Sequence, residues 1–156
     1  MKNSIEIRKV TKTNFAKYGQ LIGEPTEKDW TSPSVDYWSN LGLIDFNNTE
    51  VEVNLGIAKD RKLEFTELER HNNSSEMLIP LGTDIIVPVA IGENASEKEA
   101  FLIPNGEALI FKKGIWHSTP FPVKNKSKFL VLYKKGTIPK DKNIITLENK
   151  YNLEMS

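Results

Sequence analysis

Histidine occurs only twice in this sequence of 156 residues, the first copy beside carboxylates that could ligate a metal with it. In the first stretch, Glu69-x-His71 is followed after four residues by Glu76 and after five more by Gly82. In the second, Gly106 is followed after five residues by Lys112-x-Gly114-Ile115-Trp116-His117. Three or four ligands drawn from imidazole and carboxylate suit a divalent first-row ion. Side chains alternate along a strand, so Glu67, Glu69 and His71 would share one face and Leu68 and Arg70 the other. Acidic and imidazole groups turned into an apolar interior are costly unless something compensates them, and a bound cation would do so. Glu69, His71, Glu76 and His117 are therefore the candidate metal ligands. The plainer alternative makes His117 a turn cap, His71 a surface residue and the glutamates solvated.

Short strands must position these groups. Ser4 to Val10 alternates well enough for a first strand, and Thr11 to Gly19 reads as one short helix with a threonine N-cap and Gly19 past its end. Pro25 to Asn48, rich in turn formers and aromatics, reads as an arm packed on the body. Strand patterns then recur at Val51–Ile57, Lys62–His71, Glu76–Pro80, Ile85–Ile91, Glu99–Pro104, Ala108–Phe111, Trp116–Pro120 and Lys128–Lys134. That number of short strands, with turns every 8–12 residues, predicts an all-β sandwich or barrel. Residues 139–156 are mostly polar and read as a C-terminal tail that docks on the barrel or on a partner subunit. Among lesser candidates, Trp116 reads as packing at the barrel mouth before stacking a substrate, Tyr133 as a core residue before one that reaches the cavity, and Lys112 and Lys113 as exposed turn lysines before partners of an anionic substrate. Asn105-Gly106 is a plain turn signal.

The composition excludes several classes of function. The length fits a single domain, 1–156, with enough chain to bury a core. Lys plus Arg and Asp plus Glu are 21 each, so no net field draws nucleic acid or an anionic membrane. Arginine occurs only at Arg8, Arg61 and Arg70, and no basic stripe with interleaved aromatics is present. Cysteine is absent, which removes disulfides and thiolate chemistry. Met1 to Glu6 has no apolar signal core, and no apolar run is long enough to span a membrane. The expectation is a cytoplasmic protein that binds neither nucleic acid nor membrane.

The two histidine stretches resemble the paired motifs of the cupins, with Glu69 in place of the first histidine and Lys112 in place of a proline, and this double match about 40 residues apart, with a glycine at each turn position, favours the joint site over the plainer alternative. More specifically, the chain is similar to the ureidoglycolate lyase family, formerly called ureidoglycolate hydrolases. The similarity is carried by Glu67–His71, Met77–Pro80, Val87–Ile91, Phe101–Gly106, Gly114–His117 with Pro120-Phe121, Phe129–Leu132 and the opening Asn14–Ile22. It covers most of residues 5–134. The resemblance implies a cupin-type jelly-roll barrel with a short N-terminal helix, usually a homodimer, cleaving ureidoglycolate to glyoxylate and urea. It further implies a divalent metal, Ni, Mn, Fe or Zn, on Glu69, His71, Glu76 and His117, with Glu67 or an unligated histidine as base. Glu67, Glu69, His71 and His117 are thus the expected catalytic groups. Ser118 stands where the family often has a second histidine, and Glu76 where it often has glutamine or another residue. Both differences point toward an altered metal preference or substrate. Two alternatives remain on sequence grounds: another metal cupin enzyme of the sugar or keto-acid isomerase class, or a non-enzymatic cup for a small molecule.

Overall fold

The computed structural model describes residues 3–24 and 26–156. The first two residues of the N-terminal stretch and Pro25, the expected start of the arm, lie outside them. In chain order the elements are β1 (Ser4–Lys9), α1 (Lys12–Phe15), β2 (Gly19–Ile22), β3 (Trp30–Thr31), β4 (Asp36–Tyr37), β5 (Val51–Lys59), β6 (Glu64–Arg70) and β7 (Glu76–Leu81). They continue with β8 (Ile85–Ile91), β9 (Glu97–Ile103), β10 (Ala108–Phe111), β11 (Trp116–His117), β12 (Phe121–Pro122), β13 (Lys126–Lys134), α2 (Thr137–Lys140) and β14 (Asn143–Met155).

One sheet runs β11-β6-β14-β1-β9-β8-β12, and β11 also pairs with β8, so six of its strands close into a ring. The second sheet runs β2-β10-β7-β13-β5. This is the cupin-type β-barrel expected from the sequence. Strand β8 shows how the layers are built. Ile85, Val87 and Val89 point into the core between the sheets, with Phe101, Phe111 and Phe129. Ile86 and Ala90 point the other way, into a cluster with Ile7, Leu68, Ala100, Trp116 and Leu153, to which every strand of the ring contributes. A strand buried on both faces must be apolar throughout, which is why Ile85–Ile91 reads as a continuous run.

Three expectations change. Helix α1 is only one turn, closed at Thr11 by a reciprocal capping box with Asn14. Gly19 does not end that helix but opens β2, where a Cβ would lie 1.8 Å from the Ile110 carbonyl oxygen. Residues 143–155 are not a tail docked from outside. They form β14, parallel to β1 (Ser4 beside Asn152) and antiparallel to β6 (Ile144 beside Glu69). Leu153 is buried, and Ile145, Leu147 and Tyr151 pack on the ring's cluster, while the outward residues of the strand give it its polar look. The arm is largely irregular apart from the small β3–β4 hairpin. It is held to β2 by two hydrogen bonds between Gln20 and Leu43.

Candidate metal and active site

Backbone register brings the two histidine stretches together. Glu69 of β6 lies directly beside His117 of β11, and His117 lies beside Val89 of β8 on its other side. Alternation then divides the neighbours as expected. Arg70 stacks over Trp116 on the ring side, while Glu69 and His117 turn toward the second sheet, where His117 stacks on Phe111. His71 follows the end of β6, and Glu76 begins β7 opposite Phe111 and Tyr133.

Both imidazoles are buried, at 3% and 4% exposure, as is Glu76. His71 Nδ1 is 2.8 Å from the Asp141 carbonyl and His117 Nδ1 is 3.1 Å from the Ile115 carbonyl. A carbonyl partner requires an N–H at Nδ1 and leaves Nε2 as the free donor atom of a neutral ring. Neither Nε2 has a well-directed hydrogen-bond partner. Glu76 Oε2 approaches them at 3.1 Å (His71) and 3.4 Å (His117), and Glu69 Oε1 is 3.8 Å from His117 Nε2. Ligand atoms of Glu69, His71 and His117 all lie within 4.8 Å of one another. Glu76 touches both imidazoles from within the barrel. Two buried, orphaned imidazole nitrogens aimed at a shared carboxylate zone fit a divalent cation.

The electrostatics follow from that crowding. Burial alone would raise the Glu76 carboxyl, but the adjoining His117 and His71 outweigh it and hold the group at about 2. Burial alone would lower His117, but Glu76, then Glu69 and the Ile115 carbonyl, push it up to about 9. His71 is also raised, because Glu76 and the Asp141 carbonyl outweigh its burial.

A cavity of about 200 Å³ opens over these groups, bordered by Glu69, Glu76, His117, Asn54, Tyr133 and apolar residues that include Leu78, Phe129 and Val131. A smaller one of about 130 Å³ shares Glu69, His117, Ser118 and Thr119 with it and adds Glu67 and Lys142. Glu67 is exposed on the lip of this second cavity, away from the buried cluster. Trp116 donates Nε1–H to the Gly92 carbonyl and serves in packing. Lys112 donates to the Ala16 and Lys17 carbonyls, outside the cavity.

Sequence reasoning ranked one site residue, Tyr133, as core before cavity and missed two others, Lys142 and Asp141. Tyr133 was expected in the core and is buried, yet it also lines the cavity. Burial, and then Glu52, Glu76 and Glu69, raise its pKa and keep the phenol protonated. Lys142 places Nζ 3.0 Å from Glu69 Oε2. Asp141 accepts from the Asn72 and Asn73 amides and from Asn73 Nδ2, which anchors the loop whose carbonyl orients His71. The last two lie in the segment that looked like a polar tail.

A profile of the ureidoglycolate lyase family matches residues 2–154. The chain belongs to the ureidoglycolate lyase family. Curated members called ureidoglycolate lyase, from Escherichia coli O139:H28 and Shigella boydii serotype 18, are each 23% identical over 143 residues. That match covers 85% of this chain and 89% of theirs. Among solved structures, a mutant of the 3,4-ketoisomerase QdtA from Thermoanaerobacterium thermosaccharolyticum in complex with TDP-4-keto-6-deoxyglucose superposes with a TM-score of 0.53 at 16% identity. It covers 79% of this chain and 84% of that one, a likeness of fold. This ureidoglycolate lyase family member is accordingly a lyase on a cupin-type barrel. No helix among its described residues is long and apolar enough to cross a membrane.

Proposed function

We propose that this protein cleaves (S)-ureidoglycolate to glyoxylate and urea in the pocket between the two sheets. The observation that carries the reading is the convergence of Glu69, His71 and His117, with Glu76 against both Nε2 atoms and neither in a well-directed hydrogen bond, inside a chain of the ureidoglycolate lyase family. The scale of the cavity agrees, since about 200 Å³ falls below the ~300–1,000 Å³ of pockets for drug-sized ligands and suits a small acid.

Glu69, His71 and His117, with Glu76 against both imidazoles, would hold the divalent cation. When bound, that ion supplies a Lewis acid that lowers the pKa of a substrate hydroxyl. The chain's own groups do the rest. Lys142, in the adjoining smaller cavity beside Glu69, offers an ammonium to the substrate carboxylate. Elimination requires one proton to leave the hydroxyl and one to reach the departing ureido nitrogen as the C–N bond breaks. The electron pair of the O–H bond becomes the new C=O bond, and the pair of the C–N bond leaves with urea. Glu67, the carboxylate on the adjoining cavity that the cation does not use, takes the first proton. The Tyr133 phenol, kept protonated by its surroundings, is placed to give the second. The apolar wall of Leu78, Phe129 and Val131 limits water around the reacting carbon.

The deciding experiment is glyoxylate release from (S)-ureidoglycolate, with and without chelator and with Ni, Mn, Fe or Zn restored. Metal-dependent release, abolished in His71→Ala and His117→Ala variants that keep their strand signal, is the expected result. No release with any of these metals overturns the reading, and turnover of a keto sugar instead would transfer the site to the isomerase class.

A further inference from the structure

Strand β5 is inside out with respect to its pattern. Its alternation, Val51-Glu52-Val53-Asn54-Leu55-Gly56-Ile57, predicts an apolar face on the core and a polar face in water. The structure does the reverse. Val51, Val53, Leu55 and Ile57 point outward and are exposed, while Asn54 and Gly56 line the cavity. Glu52, on the same inner face, accepts from the Gly136 amide and is thereby committed to the backbone. Asn54 is the polar side chain that β5 presents to the cavity.

The register sets where that carboxamide stands. Asn54 lies beside Val131, which lies beside Leu78, and Tyr133 lies beside Glu76. Asn54 is thus the diagonal neighbour of Tyr133 across the β5–β13 pair, roughly 7–8 Å away. It stands two strands and one side-chain repeat from Glu76, roughly 12 Å between backbones. The wall between them is the apolar pair Leu78 and Val131. One inner position further along β5, Gly56 lets the Phe129 ring lie flat on the strand, where a Cβ would come within 2.2 Å of it. The surroundings of Asn54 are therefore apolar and closely filled. Ser118, another polar residue of the lining, already donates to the Thr119 carbonyl. Among the described residues Asn54 makes one long hydrogen bond, Nδ2–H to the Val131 carbonyl at 3.5 Å, and its Oδ1 accepts none. At that length the bond holds little.

We infer that Asn54 is the specificity-determining residue that reads the ureido end of the substrate. A ureido group is flat and uncharged, with a carbonyl acceptor and an N–H donor on one edge, and a carboxamide offers the complementary donor and acceptor. Each half of the substrate then has its own end of the cavity. The carboxylate and hydroxyl lie at the charged cluster of Glu69, Glu76 and His117, and the ureido carbonyl and amine lie at Asn54. The nitrogen that departs from carbon falls between the two ends, on the Tyr133 side. The apolar wall sharpens the choice, because a ligand without the terminal amine leaves the carboxamide unpaired against hydrocarbon. A strand with its apolar face turned inward would have no group for this task. The assignment rests on the proposed lyase reading for the identity of its ligand.

Calorimetric titration of the full chain, with Mn or Zn present, tests it with two acids that cannot be cleaved. N-carbamoylglycine is the substrate without its hydroxyl, and N-acetylglycine carries a methyl in place of the terminal amine. The wild type should bind the carbamoyl acid about 10-fold more tightly or better. Asn54→Leu should abolish that preference, weakening the carbamoyl acid about 10- to 100-fold and leaving the acetyl acid within about 3-fold. If Asn54→Leu fails to fold, Asn54→Val, which keeps strand propensity, decides. Equal wild-type affinity for the two acids, binding of neither, or a folded variant that keeps the preference would overturn the inference. Glyoxylate release from (S)-ureidoglycolate separates this outcome from failure of the lyase reading. A preference without release keeps the subsite and removes the lyase, and release without a preference removes the subsite alone.

Discussion

Replacing Glu76 with glutamine preserves shape and removes the one carboxylate that touches both histidines. The size of the effect follows from the two displaced titrations. His117 stands at about 9 against an ordinary 6.5, and Glu76 at about 2 against 4.5. Each displacement corresponds to about 3 kcal/mol, and the two report one shared attraction, so they are not added. The raised histidine stabilises the fold fully below its unfolded value of 6.5, and the contribution fades as pH climbs to about 9. The depressed carboxyl stabilises fully above 4.5, and the contribution is lost as pH falls toward 2. Metal-free protein should therefore owe most to this contact between pH 4.5 and 6.5.

In chelator-treated protein, Glu76→Gln should lose about 3 kcal/mol at pH 5.5, about 2 kcal/mol at pH 7.5 and little at pH 9.5. Urea unfolding at those three values measures it. Because the chain has only two histidines, ¹⁵N imidazole spectra with one histidine variant assign both rings. His117 should titrate near 9 in the wild type and fall well below that in the variant. A stability loss that is flat across this range, or a wild-type His117 titrating near 6.5, would refute the argument. Added divalent cation should compete with the imidazole protons, so its affinity should rise with pH.

Two further substitutions probe the groups hidden from the sequence. Lys142→Met removes the ammonium beside Glu69 and should raise KM for an anionic substrate about 10- to 100-fold, with a smaller change in kcat. A drop confined to kcat would show that this lysine does not bind the substrate. Asp141→Ala removes the acceptor for three hydrogen bonds on the loop that orients His71. It should cost about 2 kcal/mol in urea unfolding and weaken cation binding about 10- to 100-fold by calorimetry, with partial rescue by Asp141→Asn. Unchanged cation affinity would deny Asp141 its positioning role.

The parts of the site that could be read in advance are those fixed by short-range periodicity. The spacing of Glu69 and His71 along one strand, and the turn glycines that bring His117 back, leave little freedom, and the observed register of Glu69 beside His117 follows. The parts that could not be read depend on distant pairings. Asp141 and Lys142 reach the site because β14 inserts between β6 and β1, pairing the chain's two ends in parallel. Leu153 is the one residue of β14 that is fully buried, so the segment lacks the apolar density that marks an interior strand. Strand β2 was hidden for another reason. Its four residues follow a one-turn helix, and local pattern does not reveal that Gly19 must lie against a carbonyl of β10. Tyr133 illustrates a third limit, since alternation can place it inward without telling core from cavity.

That same limit explains β5. Alternation says which residues share a face, but not which face the protein treats as its interior. A pocket for a small acid needs polar or featureless positions along its wall, and β5 supplies Asn54 and Gly56 there. An edge strand whose inner face is given to the pocket has few apolar side chains left to hold it down from within. Its hydrophobic residues Val51, Val53, Leu55 and Ile57 are displaced to the exposed outer face, where Val53 and Leu55 pair across the sheet with Leu132 and Leu130 of β13. The polar wall and the aliphatic exterior are thus two consequences of one alternating sequence.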